Sequence, residues 1–282
     1  MPKVKVNDIT INYEQQGSGE PLVLIPYLAA DNACYAFQVA DYAKRFTCIS
    51  LDPRGAGETD KPDGTYSTEL LADDVAGFMQ AIGVERAHVS GVSLGAAIGL
   101  WLASKYPQRV KTLSLHSAWP KTDPFLKVIV GGWQTIAKGL GSVQEMVVQG
   151  ILPFCLTPEL YAAKPEYVDQ LAAFVRSRPK QPLDAFLRQS NAVIAHDALG
   201  QLGKISAPTQ ITFGRHDIVT STASPSRFMP ASRRARSTCS RIAPTLRSTK
   251  TSPRSTKRRS RSSTGTRAKG RGQPRSHRGA CW

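Results

Sequence analysis

The sequence predicts an α/β protein: a mostly parallel sheet with helices on both faces. Three observations predict it. Continuous apolar runs such as residues 21–25, Pro-Leu-Val-Leu-Ile, read as strands buried on both faces. Stretches of helical length and periodicity separate these runs, and strands alternating with helices make a parallel sheet. One such strand passes into one such helix through Gly91-Val92-Ser93-Leu94-Gly95.

The elements follow in order. Residues 3–6 and 9–13 alternate apolar and polar side chains, as a two-stranded antiparallel start does. Gly17-Ser18-Gly19 is a turn, residues 21–25 form a strand, and Pro26 ends it. Residues 35–44 suit a helix and 47–51 the next strand. Asp52 to Asp60 is a turn-rich loop. Residues 68–82 are amphipathic, with Leu70, Leu71, Val75, Phe78, Met79 and Ile82 on one side. Strand 87–90, helix 96–106 and strand 110–116 follow. From Trp119 to about Lys204 the pattern is helical throughout, with Trp133, Phe125, Phe154, Tyr161, Phe174 and Phe186 expected mostly in the core of this insertion and a few of them lining a pocket, which ones the sequence does not say. The sheet resumes at 208–213, followed by Gly214-Arg215-His216-Asp217. The expected division is 1–118 as the first part of the core, 119–204 as a helical cap, 205–222 as the returning core, and 223–282 as a basic tail.

A chain of 282 residues with 41% hydrophobic content can bury a sizeable core. No run approaches the roughly 18 apolar residues of a membrane span. Residues 1–6 carry no apolar signal segment, so a cytoplasmic setting is expected. The five cysteines show no metal-ligand spacing, which suggests free thiols and no metal. The formal charge of +16 is concentrated: from Arg227 onward there are seventeen Lys or Arg and no Asp or Glu. The rest of the chain is therefore close to neutral.

A serine between two glycines, at a strand-to-helix turn, forms a nucleophile elbow. The glycines leave room for a tight turn that projects the Ser93 hydroxyl into open space. The following helix N-terminus offers backbone N–H groups to a developing oxyanion, the N–H of Leu94 first.

These motifs resemble the α/β-hydrolase superfamily with a helical cap. The pattern is closest to the small esterases, enol-lactonases and non-haem perhydrolases. The matching stretches are residues 21–25, Asp52-Pro53-Arg54-Gly55-Ala56-Gly57, Gly91-Val92-Ser93-Leu94-Gly95 and Phe213-Gly214-Arg215-His216-Asp217, spanning residues 3 to 220. The resemblance implies Ser93 as nucleophile and Asp217 as the acid of a catalytic triad. Asp217 also follows a strand, at the sheet edge where ligands bind. Asp52, which opens a post-strand loop, Asp73 and Asp74, read as solvated, and Asp197 are its rivals. A serine at the elbow argues against dehalogenase and epoxide hydrolase chemistry. Pro26-Tyr27 stands where the family has His-Gly. By position the second oxyanion donor is the Leu28 N–H, since Pro26 has none. Tyr27 either adds its phenol to a substrate pocket or packs. The implied reaction is hydrolysis of a small-molecule carboxylic ester or lactone, without cofactor. The alternatives are C–C bond hydrolysis or perhydrolysis on the same scaffold, and a non-catalytic binding protein.

The family draws its base from a histidine loop after the last strand. This chain offers His88, His116, His196, His216 and His277, and none fits well; His116 and His277 are the least unsuitable. From about Ser224, apolar periodicity, acidic residues and strand signals vanish together. Read one nucleotide out of frame, Ile242 to Arg247 permits Cys-Ala-His-Ala-Pro, with an amphipathic helix after it and a strand at 236–240 before it. The reading is a frame slip near residues 222–224, which removes the last strand, the histidine loop and the terminal helix. The histidine codon overlaps Pro244 and Thr245. The rival reading is a genuine tail, disordered because it buries nothing, binding nucleic acid through charge alone at runs such as Lys257-Arg258-Arg259-Ser260-Arg261.

Overall fold

The computed structural model describes residues 2–214 and 217–220, and the backbone of Ala235–Ser240. Its sheet contains β1 (Lys3–Val6), β2 (Ile9–Gln16), β3 (Glu20–Ile25), β4 (Phe46–Leu51), β5 (Ala87–Val92), β6 (Val110–His116), β7 (Thr209–Gly214) and β8 (Ala235–Ser240). The spatial order is β1-β2-β4-β3-β5-β6-β7-β8. The first two strands pair antiparallel, β2 meets β4 antiparallel, and every later pairing is parallel. The parallel strands therefore send their carboxyl ends to one edge.

Helices α1 (Ala36–Tyr42), α2 (Thr68–Ala81) and α3 (Leu94–Lys105) connect the strands. Ser67 caps α2 by accepting a hydrogen bond from the Leu70 N–H, and Leu71, Val75, Phe78 and Met79 form its buried side. Helix α3 is buried nearly all round, as its Ala- and Leu-rich sequence requires. Leu113 and Leu115 of β6 pack beneath Gly99.

Between β6 and β7 lie α4 (Pro124–Leu140), α5 (Val143–Met146), α6 (Leu152–Cys155), α7 (Pro158–Ala163), α8 (Pro165–Ser177) and α9 (Leu183–Ile194). Apart from a single bridge between Lys121 and Asp197, this insertion contains no β structure. Phe186 and Trp133 are buried there as expected. Phe125, Phe154 and Phe174 are more exposed: Phe154 still meets the buried Trp133 edge-on, and Phe174 lines a cleft.

Two further expectations are corrected. Asp74 is not solvated: it is 2% exposed and accepts two hydrogen bonds from the equally buried Arg54, which also pairs with Asp8. Burial of Asp74 demands such a partner. The last strand is not lost either: Ala235–Ser240 pairs in parallel with β7 along its full length. The outer N–H and C=O groups of β7 need partners, and an extended backbone supplies them whatever its side chains. That strand lies within the segment 223–282 expected as tail. The frame slip at 222–224, the segment carrying the restored histidine, His277 and the remaining basic runs lie outside the described residues.

Candidate active site

Ser93 joins β5 to α3 with φ +52° and ψ −115°, a conformation L-residues rarely adopt. The surrounding chain holds it there. Its N–H donates to the His116 carbonyl at the end of β6 (2.9 Å), and its carbonyl accepts from the Ala96 and Ala97 N–H groups. A Cβ on Gly91 would lie 2.2 Å from the Gly95 carbonyl oxygen, and one on Gly95 would lie 2.0 Å from that of Ile25. Both glycines are thus required by close backbone approach.

The same approach sets the start of α3 against the end of β3. Leu94 heads α3, where its N–H has no carbonyl of its own helix to meet. Leu28 follows two residues after Pro26, is 4% exposed, and its N–H has no partner among the described residues. Two walls hold this loop. The Tyr35 hydroxyl donates to the Ile25 carbonyl (2.9 Å). Asp52 accepts from the N–H groups of Asn32 (2.7 Å) and Glu58 (2.8 Å) and from Asn12 Nδ2 (2.8 Å). Asp52 is therefore a structural anchor.

Asp217 follows β7. Its Oδ1 accepts from the Val219 and Thr220 N–H groups (2.9 and 2.8 Å), and its Oδ2 from the hydroxyls of Thr220 (2.6 Å) and Ser117 (2.9 Å). Four donors fix its orientation. Ser117 adjoins His116, whose carbonyl holds Ser93. Ser93 and Asp217 thus flank the carboxyl end of β6, on strands two places apart. At about 4.8 Å per strand, the gap is wide enough for an imidazole.

Tyr27 is half-buried on the loop carrying Leu28. Desolvation, with the Asp31 carboxylate nearby, holds the pKa of its hydroxyl well above the ordinary range, so it remains neutral. Crowding around its sulfur, with the Asp217 carboxylate, pushes the Cys155 thiol up to about 11, although the residue keeps an exposed edge. Ser117 is a site neighbour that no sequence pattern announces.

None of the histidines among the described residues serves Ser93. His116 Nδ1 meets the Thr212 hydroxyl (2.5 Å) and Nε2 the Ser90 hydroxyl (3.2 Å), and burial lowers its pKa. It lies on the sheet face opposite Leu113 and Leu115, by the alternation of β6. His88 meets Thr112 and Glu20 near the far end of the strands. His196 is 3% exposed; its Nε2 donates to the Trp119 carbonyl (3.2 Å), leaving Nδ1 to accept from the Thr68 hydroxyl (2.8 Å). His216 lies outside the described residues.

Comparison with known proteins agrees with this architecture. A family profile described as the alpha/beta hydrolase fold matches residues 18–236. RutD of Azorhizobium caulinodans, which carries the provisional name carbamate hydrolase, is 26% identical over 223 residues, covering 77% of this chain and 81% of that protein. The 3-oxoadipate enol-lactonase 2 of Acinetobacter baylyi is 25% identical over 225 residues, 77% of this chain and 79% of the relative. The crystal structure of the enol-lactonase from Burkholderia xenovorans LB400 superposes with a TM-score of 0.73 at 22% identity, covering 84% of this chain and 90% of that one. At that identity the likeness concerns the fold.

Proposed function

Because the chain belongs to the α/β-hydrolase fold family, we propose that its site is that of a serine hydrolase of carboxylic esters or lactones. The observation that carries the reading is the elbow: a positive-φ serine at a helix N-terminus, beside a loop whose Leu28 N–H has no partner among the described residues. The similarity to an enol-lactonase supports the substrate class.

Ser93 Oγ attacks the carbonyl carbon as its proton passes to a base. The N–H groups of Leu94 and Leu28 receive the oxyanion. The C–O bond to the alcohol breaks as the base returns the proton to it, and for a lactone the ring opens. Water then attacks the acyl-Ser93 ester, releasing the acid and restoring the hydroxyl. Asp217 orients the base and supports its charge. Tyr27 borders the substrate. No step calls for a cofactor.

The base is the missing part. The three described histidines all have both ring nitrogens engaged. A frame slip near residues 222–224 accounts for this, with the lost histidine encoded across Pro244 and Thr245. The chain as it stands is then an impaired enzyme.

Labelling with a fluorophosphonate, read by mass spectrometry of the Ser93 peptide, tests the reading. The frame-restored chain is expected to label rapidly at Ser93 and the present chain slowly. No labelling of Ser93 in the restored chain contradicts the assignment.

A further inference from the structure

A cleft of about 40 Å³ lies between the loop after β3 and the inserted helices. Tyr27 and Asp31 line it from the core, and Phe174, Arg178 and Gln181 from the insertion. At roughly 10–15 Å³ per water-sized group, it holds about three such groups, the size of a carboxylate.

Its polar groups are arranged unevenly. Arg178 Nε donates to Asp31 Oδ2 (2.9 Å) and Oδ1 (3.2 Å). Asp31 is 6% exposed and is itself held by the Ala33 N–H. The guanidinium also lies 5.6 Å from the centre of the Phe174 ring. Its plane is thereby fixed through its Nε edge, while its two terminal nitrogens have no hydrogen-bond partner among the described residues. Gln181 is 8% exposed. Its Nε2 donates to the Gly55 carbonyl (2.7 Å) and to Gln189 Oε1 (2.9 Å). A carbonyl partner fixes which end is the amide nitrogen, so the buried Oε1 is the end left without a partner.

We infer that this cleft is the recognition subsite for a carboxylate carried by the ester or lactone substrate, with Arg178 as its anchor. The inference rests on the hydrolase reading of the neighbouring elbow. The terminal N–H groups of an arginine form a fork that matches the two oxygens of a carboxylate. Asp31 presets that fork, so little freedom is lost on binding. Gln181 Oε1 accepts a hydroxyl or N–H of the same substrate. Tyr27 connects this subsite to the Leu28 loop, so a substrate anchored at Arg178 extends toward the oxyanion donors.

Binding is read apart from turnover by titration calorimetry on full-length Ser93→Ala protein. The probes are the monomethyl and dimethyl esters of succinate, glutarate and adipate. The best monomethyl ester is expected to bind at least about tenfold more tightly than its dimethyl partner, the worth of hydrogen bonds to a charged group. Arg178→Gln is expected to remove that preference. Should that variant not fold, Arg178→Lys keeps the charge near Asp31 and is expected to lose most of the preference with the fork. Equal affinities in Ser93→Ala protein, no binding by any monomethyl ester, or a preference that survives both substitutions overturns the inference. A carboxylate preference without fluorophosphonate labelling of Ser93 would sink the hydrolase reading alone.

Discussion

Ser93, at φ +52° and ψ −115°, occupies a backbone state that costs an L-residue roughly 1–3 kcal/mol. Ser93→Gly should therefore raise stability by about 1 kcal/mol in urea unfolding, while hydrolysis by the frame-restored chain is lost. Gly95→Ala should do the opposite. Its Cβ meets the Ile25 carbonyl at 2.0 Å, so stability falls by about 1–3 kcal/mol and the Leu28 N–H leaves its place beside Leu94. In the restored chain, Asp217→Asn is expected to cut kcat about 10⁴-fold with little change in the unfolding midpoint. These positions were legible because glycines and a post-strand aspartate leave marks in a sequence. Ser117 was not, since its hydroxyl reaches Asp217 across a hundred positions of chain with no pattern between them. Asp74 was misread because two adjacent aspartates on a helix look alike until Arg54 arrives from another loop.

Elements were legible where periodicity is imposed by burial on a known side. Helix α2 is the plainest: Phe78 is fully buried and meets Tyr13 edge-on, ring centres 5.1 Å apart. Phe78→Ala should cost about 3–5 kcal/mol. In the insertion, helices are readable but their orientation is not, so the sequence does not show which of its aromatics lines a pocket; Phe174 does. The strand β8 was missed for another reason: hydrogen bonding along the edge of β7 defines it, rather than an alternating sequence. His196 ties the insertion's end to α2 through Thr68, and burial lowers its pKa to about 4. The unfolded value is about 6.5, so the folded state holds this ring neutral. Its contribution is complete above pH 6.5 and is lost as pH falls toward 4, by up to about 3 kcal/mol. His196→Asn should flatten that part of the stability profile, as measured by urea midpoints at pH 7 and 4.5.

At the scale of the molecule, the parallel strands bring residues far apart in sequence to one edge. The end of β3 supplies Leu28, β5 leads to Ser93, β6 to Ser117, and β7 to Asp217. That convergence was predictable from alternating strands and helices alone. The substrate was not, because it depends on how the inserted helices close over the edge, as at Arg178 and Asp31. The proposed site has a serine, two candidate oxyanion donors and an oriented carboxylate, with no available imidazole among the described residues. The most direct test is hydrolysis of p-nitrophenyl acetate and butyrate by this chain and by its frame-restored counterpart, each beside Ser93→Ala. Rapid turnover is expected only in the restored chain, abolished by Ser93→Ala. Fast, Ser93-dependent turnover by the present chain would contradict it, and would direct mutation first to His116 and His277.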